Sequence, residues 1–474
     1  MKIDYFAEQE QYDKTDKYSI EKYGQGMVGL TFREICLLDD SNTFVMEEEN
    51  EYLISHENRK RKGGLGNLIE ERYFHYEANN ESEPDFKEAG VELKATPYKI
   101  NKNNSLSAKE RLVLNKINYI NVAEESDIYK SHFWHKNQII LLVYYLYKEH
   151  VNRLDYEIKY VRLFTPKEED MLIIKKDYLI IVNKIKAGKA HELSESDTWY
   201  LSACTKGATS SDRTKQPYSS IMAKPRAFAY KASYMTYVLN NYIIPGKPLY
   251  ESLIGNKKIE NLEDYIISTI DSYKGQSYEE LCAKFNIDSE IKRKNIYAML
   301  TYRMLGIKGN NAEEFVKASI QIKTIRIEKN GSIKENMSLP TFKFNEIINQ
   351  EWESSDLFNM LFTTKFLFVV YQQDEEGNYR LDHAKFWNMP YDVLDSEVQK
   401  VWNKTKDSLN NLPVDLKENG QYKGIFPKQS ENEVCHVRPH AQNSRDTYPL
   451  PDGREYPKQC FWLNNSYILS IVKK

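Results

Sequence analysis

Hydrophobic residues occur along this chain with two spacings, one typical of helices and one typical of strands. Apolar positions recur every three to four residues in some segments, which predicts amphipathic helices. In other segments they alternate with polar residues or cluster with β-branched ones, which predicts strands. In the first half, strands are predicted over residues 89–96, 111–117 and 138–147, and helices over 66–76, 168–187 and 226–242. Helices that flank a short mixed sheet indicate an α/β (α+β) layout.

The same order of segments occurs a second time further along the chain. The matching pairs are 19–38 with 268–285, 85–97 with 314–326, 158–166 with 381–390, and 226–239 with 459–472. The second copy also has a predicted helix, over residues 294–305. Chance similarity rarely keeps its order over a whole chain, so we interpret the repetition as a tandem duplication. The Gly- and Pro-containing stretch near Pro245 to Pro248 is predicted to join a first domain, 1–245, to a second domain, 246–474.

The composition indicates a globular protein of the cytoplasm rather than a secreted, membrane-spanning or wholly basic one. Hydrophobic residues make up 41% and charged residues 28% of the 474 positions, and the formal net charge is −3, so any nucleic-acid site has to be a local patch. The longest apolar run, 139–147, is shorter than the ~20 residues that span a bilayer. The start of the chain shows no signal-peptide pattern, and the five cysteines are dispersed without a CxxC pair, which fits a reducing compartment. No Gly-rich phosphate loop is present, so no nucleotide cofactor is expected.

Candidate chemistry is concentrated in residues 83–97, which read EPDFKEAGVELKATP. Glu92 and Lys94 are two positions apart in a predicted strand, so both side chains project from the same face. Asp85 ends the preceding segment and can reach that face across a hairpin. Two carboxylates make a hard oxygen site that suits Mg²⁺, which can acidify a bound water and stabilise charge on a phosphate. Lys94 would then position or help deprotonate that water and neutralise the developing charge.

The alternative interpretation of this segment is a half-exposed strand with a solvated ion pair, since a Pro-Asp pair and a Glu-x-Lys triplet are each common. Two features favour the metal site. Val91 and Leu93 give the segment the apolar pattern of a true strand. An acidic residue in the upstream predicted helix, Glu70 or its neighbour Glu71, could add a further oxygen ligand, although on a surface helix either acid could instead be solvated.

The segments around these acids resemble the MutH family of nucleases. GGLGNLIEERYF (63–74) followed by EPDFKEAGVELKATP (83–97) is similar to the family's GxxxE helix and D-x6-E-x-K strand. Near the other end, HVRPHAQNS (436–444) and CFWLNNSYILSIV (460–472) closely resemble the family's RPKxxNS loop and last helix. Duplicated in a chain of this length, the module looks like the two-domain, GATC-specific type II restriction endonucleases of the family, in the PD-(D/E)xK superfamily. The fold that this implies is a restriction-endonuclease-like mixed sheet flanked by helices, present twice.

The resemblance implies roles for individual residues of the first copy. For catalysis it implies Glu70, Asp85, Glu92, Lys94 and Lys136, with the three acids as Mg²⁺ ligands and Lys136 near the scissile phosphate. For DNA binding it implies the loop 202–212, with Thr205, Lys206 and Ser210 facing the duplex, and Tyr230 and Lys231 further along. Cys204 and Thr205 depart from the family's Arg-Pro pair, which leaves the base contacts of this copy open. The alternatives are a solvated strand-entry residue for Lys136 and core packing for Tyr230.

The second copy is predicted to have lost catalysis. Alignment of the strands places Thr301, Glu314 and Gln321 at the positions of Glu70, Asp85 and Glu92, while Lys323 keeps the lysine. One remaining carboxylate is a poor Mg²⁺ site.

DNA binding, in contrast, is predicted to persist in the second copy. This copy keeps Arg438, Pro439, His440 and Asn443 in the loop that reads DNA. Arginine can form two hydrogen bonds to guanine O6 and N7, which is the commonest specific base contact. The alternative is a relic loop that only packs on its neighbour.

The function expected from these features is Mg²⁺-dependent cleavage of both strands of duplex DNA at 5′-GATC-3′, before the G. The expected partner is double-stranded DNA with two GATC sites bound at once, without a membrane or a nucleotide cofactor. The chain is expected to be a monomer in solution, and dimerisation on DNA is left open. The alternatives are a methyl-directed mismatch-repair nickase, against which the duplication argues, and a non-catalytic DNA-binding or adaptor protein, against which the intact acids and lysine argue.

Overall fold

A computed structural model of the protein describes most of the chain. The described residues are 12–38, 64–76, 83–207, 209, 211–244, 250–255, 257, 259, 261–288, 296–418 and 421–473. Two expectations lie outside them, namely the linker near Pro245 to Pro248 and the DNA contact of Ser210. The chain divides into two compact units, of which unit 1 comprises Met1–Leu193 and Thr198–Pro248, and unit 2 comprises Ser194–Asp197 and Leu249–Lys474.

Unit 1 is built from helices around two small sheets. Its helices are α1 Lys17–Gly24, α2 Phe32–Cys36, α3 Gly64–Leu68 (extended by a π-helical turn, Ile69–Tyr73), α4 Tyr119–Glu124, α5 His132–Asn137, α6 Glu168–Lys186 and α7 Ala232–Val238 (extended by a π-helical turn, Leu239–Ile243). Its strands are β1 Val91–Ile100, β2 Leu106–Ala108, β3 Leu112–Lys116, β4 Ile139–Leu146, β5 Glu157–Phe164, β6 Leu201–Thr205 and β7 Arg226–Tyr230. Three-residue 3-10 turns connect several of these elements.

The larger sheet of unit 1 is mixed, with strand order β2-β1-β4-β5. β1 runs parallel to β4, with Val91 opposite Ile139, while β2 and β5 are antiparallel to their neighbours. Every residue of β4 from 140 to 144 is fully buried, as expected for a central strand covered on both faces. This covered strand fixes the position of β1, which carries the candidate acids.

The smaller sheet of unit 1, in the order β3-β7-β6, corrects one expectation. The helix predicted over 226–242 is wrong in its first five residues, because Arg226–Tyr230 is a strand paired on both sides. All five residues are buried, and a short apolar run of this kind has no period that distinguishes a strand from a buried helix. The helix begins only at Ala232.

Unit 2 repeats this organisation. Its helices are α8 Leu262–Asp271, α9 Tyr278–Lys284, α10 Ile296–Met304, α11 Glu313–Ala318, α12 Phe344–Ile347, α13 Asp356–Thr363, α14 Tyr391–Val393 (continued by a π-helical turn, Leu394–Val398), α15 Gln399–Asn410 and α16 Asn465–Val472. Its strands are β8 Ile320–Ile327, β9 Met337–Phe342, β10 Lys365–Gln373, β11 Tyr379–Trp387, β12 Lys417–Glu418, β13 Gln421–Tyr422, β14 Cys435–Pro439, β15 Thr447–Pro449, β16 Glu455–Pro457 and β17 Gln459–Leu463.

The strand pairing of unit 2 follows that of unit 1. β8 is parallel to β10, with Ile320 opposite Lys365, and β11 is antiparallel to β10. A second sheet has the order β14-β17-β9, as β6-β7-β3 does in unit 1. The predicted mixed sheet flanked by helices is therefore confirmed. Within the part of the chain that the structure describes, no helix is both long and apolar enough to cross a membrane.

The central strand of unit 1 gives a test of its core. Leu141 is fully buried on β4, so Leu141→Ala should lower the free energy of unfolding by about 2–5 kcal/mol through lost burial and a residual cavity. Leu172→Ala, on a helix position that is 53% exposed, should change it by less than about 0.5 kcal/mol. Urea unfolding of both variants measures the difference, and equal losses would contradict the assigned core.

Candidate active site

Three side chains of the predicted motif meet at the start of β1. Glu92 is 1% exposed, and the ammonium of Lys94 lies 2.5 Å from its Oε1 atom. Asp85 is brought beside them by a bridge between Phe86 and Val91, the hairpin that the sequence analysis expected. The backbone N–H of Asp85 donates to Glu92 Oε2 at 3.3 Å, and Asp85 Oδ2 accepts from the backbone N–H of Leu93 at 2.8 Å. The two carboxylates are therefore held by the backbone of their own hairpin.

Lys136 is the second cation of this cluster. It lies in the last turn of α5, a helix whose N-cap Ser131 accepts from the backbone N–H of Trp134. Its ammonium is 3.6 Å from Glu92 Oε2 and donates to the carbonyl of Glu83 at 3.0 Å. Two ammonium groups thus flank one buried carboxylate, so Lys136 is part of the cluster.

Glu70 contributes a third carboxylate from the π-helical turn that follows α3. Burial raises its pKa to about 7, with further contributions from the negative charges of Asp85 and Glu92. Burial and the charge of Glu92 likewise raise the pKa of Asp85 to about 6. Because the charges of Asp85 and Glu92 both act on Glu70, the structure favours Glu70 over Glu71 as the helix acid of the cluster. π-helical turns occur frequently at functional sites.

Tyr76 belongs to the same cluster and was missed by the sequence analysis. Its hydroxyl is buried without a hydrogen-bond partner among the described residues. Burial raises the pKa of Tyr76 well above its usual range, and the charges of Asp85, Glu70 and Glu92 raise it further. The only sequence signal was its place shortly after the catalytic helix, where an aromatic residue is usually explained by packing.

The donors of this cluster suit a hard divalent cation. Carboxylate oxygens are the ligands that Mg²⁺ prefers, and the like-charge repulsion among three acids would be relieved by a cation. As the side chains stand, no three His, Cys, Asp or Glu residues in the described ranges are grouped so that they could hold a metal. In this arrangement Lys94 supplies the positive charge at Glu92.

The predicted DNA-binding residues of unit 1 fall into two sets. Thr205 ends β6, and Lys206 follows it on the exposed surface, with its backbone N–H bonded to Pro225. Tyr230 is fully buried against Tyr234 rather than surface-exposed. Lys231 is buried as well, and its ammonium donates to the carbonyl of Thr198 at 2.5 Å.

Neither Tyr230 nor Lys231 presents a surface to a ligand, so both expectations are corrected in favour of packing. Tyr230 is the last residue of β7 and Lys231 is the N-cap of α7. Both therefore lie just before the helix that begins at Ala232.

The corresponding loop of unit 2 is exposed and aromatic. Arg438 and Pro439 end β14 on the surface, and His440 follows them. The guanidinium of Arg438 lies 4.0 Å from the centroid of the Trp462 ring, and the ring of His440 meets the same indole edge-on at 5.3 Å. Stacking on an aromatic ring orients an arginine without occupying its five donors.

Asn443 completes this loop. It is exposed, and its Oδ1 accepts from the backbone N–H of Arg445 at 2.9 Å. This bond shapes the turn that follows the surface residues of β14.

At the positions that correspond to the acid and lysine cluster of unit 1, unit 2 carries different residues. The matched strand registers place Gln321 where unit 1 has Glu92, and Phe362 where it has Lys136. Glu314 accepts instead from Ser252 Oγ at 2.6 Å and from the backbone of 253 and 254. Thr301 donates to the carbonyl of Tyr297 within its own helix.

Comparison with known proteins agrees with the fold and with the motif. The family described as "DNA mismatch repair enzyme MutH" matches residues 74–177 and again 305–398, once in each unit. The chain is 37% identical over 460 residues to the type II restriction enzyme Sau3AI of Staphylococcus aureus, covering 88% of this chain and 93% of that protein. A mixed sheet bearing an acidic and lysine-containing motif, together with this relationship, defines a site-specific deoxyribonuclease. The chain belongs to the MutH-like type II restriction endonucleases, and its substrate is DNA.

The raised pKa values predict how stability depends on pH in the absence of metal. The folded chain keeps a proton on Glu70 up to about pH 7, whereas an unfolded chain releases it near the ordinary value of 4.5. This contribution to the free energy of unfolding is therefore present at low pH and is lost as the pH rises from 4.5 to about 7.

Glu70→Gln should therefore reduce the fall in the free energy of unfolding over this pH range. Glu71 is the next residue in the same turn, and Glu71→Gln should leave that fall as it is in the wild type. Urea unfolding in EDTA from pH 4.5 to 8 measures both. If only Glu71→Gln changed this pH dependence, the helix acid of the cluster would be Glu71 and the assignment of Glu70 would be contradicted.

Proposed function

We propose that unit 1 cleaves both strands of duplex DNA at 5′-GATC-3′, before the G, in a Mg²⁺-dependent reaction that leaves 5′-phosphate ends. The observation that carries the proposal is the buried Glu92 beside Asp85, flanked by Lys94 and Lys136. The target sequence and the cut position rest on the resemblance of the two motifs and the loop to the MutH family.

In this proposal Glu70, Asp85 and Glu92 hold the cation. When bound, Mg²⁺ supplies an acidified water and neutralises charge on the phosphate. Lys94 orients the attacking water through its ammonium. Lys136 neutralises the non-bridging oxygens of the scissile phosphate, a contribution that grows as negative charge develops in the transition state.

The backbone of the hairpin keeps this arrangement ready before DNA binds. Asp85 cannot turn away from the strand without giving up the N–H bond of Leu93, and the Asp85 N–H holds Glu92 in return. Preorganised charges need no rearrangement during the reaction, which is why fixed groups are more effective than mobile ones.

Duplex recognition by unit 1 is assigned to Thr205 and Lys206, and to Ser210 in the loop beyond them. Lys206 is exposed directly after β6, where it can contact a phosphate or a base edge.

Unit 2 is proposed to bind a second GATC duplex without cutting it and thereby to activate unit 1. The exposed Arg438, Pro439, His440 and Asn443 form its reading surface, and the loss of acids explains why it is inactive. A chain that holds two sites on one DNA molecule gains effective concentration from the tether between them. The active species is then one chain bound to two sites, with no nucleotide cofactor.

Loss of one carboxylate tests the catalytic assignment. Glu92→Gln copies the residue of unit 2 and should lower the rate of plasmid cleavage in Mg²⁺ by at least about 10³-fold, because charge is lost while shape is kept. GATC duplex binding in Ca²⁺, measured by fluorescence anisotropy, should stay near wild type.

The matched control is Glu88→Gln, an exposed acid of the same segment, which should cut at the wild-type rate. Cleavage by Glu92→Gln at that rate, or wild-type cleavage in EDTA, would contradict the assigned site.

Loss of the reading arginine tests the role of unit 2. A plasmid with two GATC sites should be cut faster per site than one with a single site, and a GATC oligonucleotide in trans should stimulate the latter. Arg438→Ala should abolish both effects and spare slow basal cutting, because a lost guanine contact weakens binding by about 1–3 kcal/mol.

Lys400→Ala removes one exposed charge from the same unit and should behave as wild type. Equal per-site rates on both plasmids, unaffected by Arg438→Ala, would leave unit 2 without an effector role.

A further inference from the structure

A polar cavity of about 780 Å³ lies along the outer edge of β8 in unit 2. β8 pairs with β10 on one side, and on its other side it lines the cavity together with the start of β9. The lining includes charged and aromatic side chains, among them Lys323, Arg326, Glu328, Lys334, Glu335 and Tyr379. The cavity is large enough for a phosphate group with its flanking sugar atoms and several waters.

Both acids of this lining are already paired. Glu328 accepts from Lys334 at 2.6 Å and from the hydroxyl of Tyr379 at 2.5 Å. Glu335 lies 3.3 Å from the guanidinium of Arg326. Neither carboxylate neutralises Lys323, and no other acid pairs with it among the described residues of this unit.

Lys323 is half-buried, and burial lowers the pKa of its ammonium. A buried charge without a partner is costly, and an anion that entered the cavity would remove this cost.

Comparison with unit 1 shows how Lys323 lost its partner. The equivalent lysine, Lys94, contacts Glu92, but position 321 carries a neutral amide. Glu314, the remaining acid, is 3% exposed and bonded to the segment 252–254. The acids that surround the lysine in unit 1 are thus replaced or held elsewhere in unit 2, and among the described residues no acid pairs with the Lys323 ammonium, which suits an anion.

The cavity also borders the sheet that carries the proposed reading surface of unit 2. Met337 and Ser338 of β9 line it, and β9 pairs with β17, which in turn pairs with β14. Arg438 is exposed near the end of β14. The sheet that carries Arg438 therefore borders the cavity that Lys323 lines.

We propose that this remnant of an active site is a phosphodiester-binding site, in which Lys323 binds a non-bridging phosphate oxygen of the duplex held by unit 2. The inference rests on the second DNA site proposed above and adds the residue that binds the phosphate backbone of that DNA. Lys323 then neutralises one phosphate of the duplex bound to unit 2, as the proposed cation neutralises a phosphate in unit 1. Unlike the cation, Lys323 does not activate a water. Inorganic phosphate shares this chemistry, and the experiment separates the two sources.

The experiment uses the full chain with Glu92→Gln, so that bound duplex stays intact. Calorimetric titration with a GATC duplex should show two binding events, and the event that Arg438→Ala removes belongs to unit 2. Adding Lys323→Met should weaken that event about 10-fold, as expected for a lost hydrogen bond to a charged group. It should also reduce the slope of log Kd against log [KCl] by about 0.9, the value for one phosphate contact.

Two controls bracket this result. Lys323→Arg keeps the charge and should retain the slope, and equal melting temperatures of the variants show that the fold is intact. Lys329→Met removes an exposed charge of the same unit outside the cavity and should leave affinity and slope unchanged.

The outcomes distinguish the two proposals. A single binding event in the Glu92→Gln parent would overturn the second DNA site itself. Two events with the same slope in Lys323→Met and Lys329→Met would overturn only the phosphodiester site. Stabilisation by 10 mM inorganic phosphate that needs Lys323, combined with an unchanged DNA slope, would assign the cavity to the free ion and also contradict the proposal.

Discussion

Like-charge repulsion between three neighbouring carboxylates is the constraint on which the first unit depends. Glu70, Asp85 and Glu92 each raise the cost of ionising another, and burial adds to that cost. The chain keeps them together by attaching two of them to one hairpin, whose strand is paired along its length with the fully covered β4. Lys94 and Lys136 offset part of the repulsion. A site that is strained in this way is stabilised by the ligands that it is built to bind.

The duplication shows what happens when this constraint is removed. Unit 2 keeps the parallel pairing of β8 with β10, so its scaffold does not depend on the acids. Gln321 and Thr301 add no charge, Glu314 serves as a cap for a loop, and Phe362 joins the hydrophobic core. One fold thus carries a cluster of three acids in one copy and, in the other, a cavity whose Lys323 pairs with no acid among the described residues. The exposed loop with Arg438 does not depend on the acids, since it belongs to the second sheet of its unit.

The sequence was most informative where a local period or spacing determines the geometry. β1 and β4 were predicted from alternation and β-branched content, and the i, i+2 spacing placed Glu92 and Lys94 on one face. Prediction failed where pairing with strands that are distant in the sequence determines the secondary structure. Arg226–Tyr230 is a strand because β3 and β6 lie on either side of it. The sequence of these five residues alone does not indicate either partner strand. The burial of Tyr230 and Lys231 follows from that strand.

Two features of the sites depend on long-range packing and have no local signal. Tyr76 joins the acids because the turn that follows α3 brings its hydroxyl to them. Trp462 orients Arg438 from the neighbouring strand of the sheet, 24 positions further along the chain. Spacing alone identifies neither contact, whereas the paired strands β14 and β17 bring Arg438 and Trp462 together directly.

The central claim is that a single carboxylate cluster, in unit 1, binds the divalent cation. Mn²⁺ binding to the full chain, followed by electron paramagnetic resonance at pH 8, tests this most directly. The account predicts that Mn²⁺ binds the wild-type chain and that a variant with Glu70→Gln, Asp85→Asn and Glu92→Gln loses this binding while Glu314→Gln retains it. Unchanged Mn²⁺ binding by the triple variant would contradict the claim.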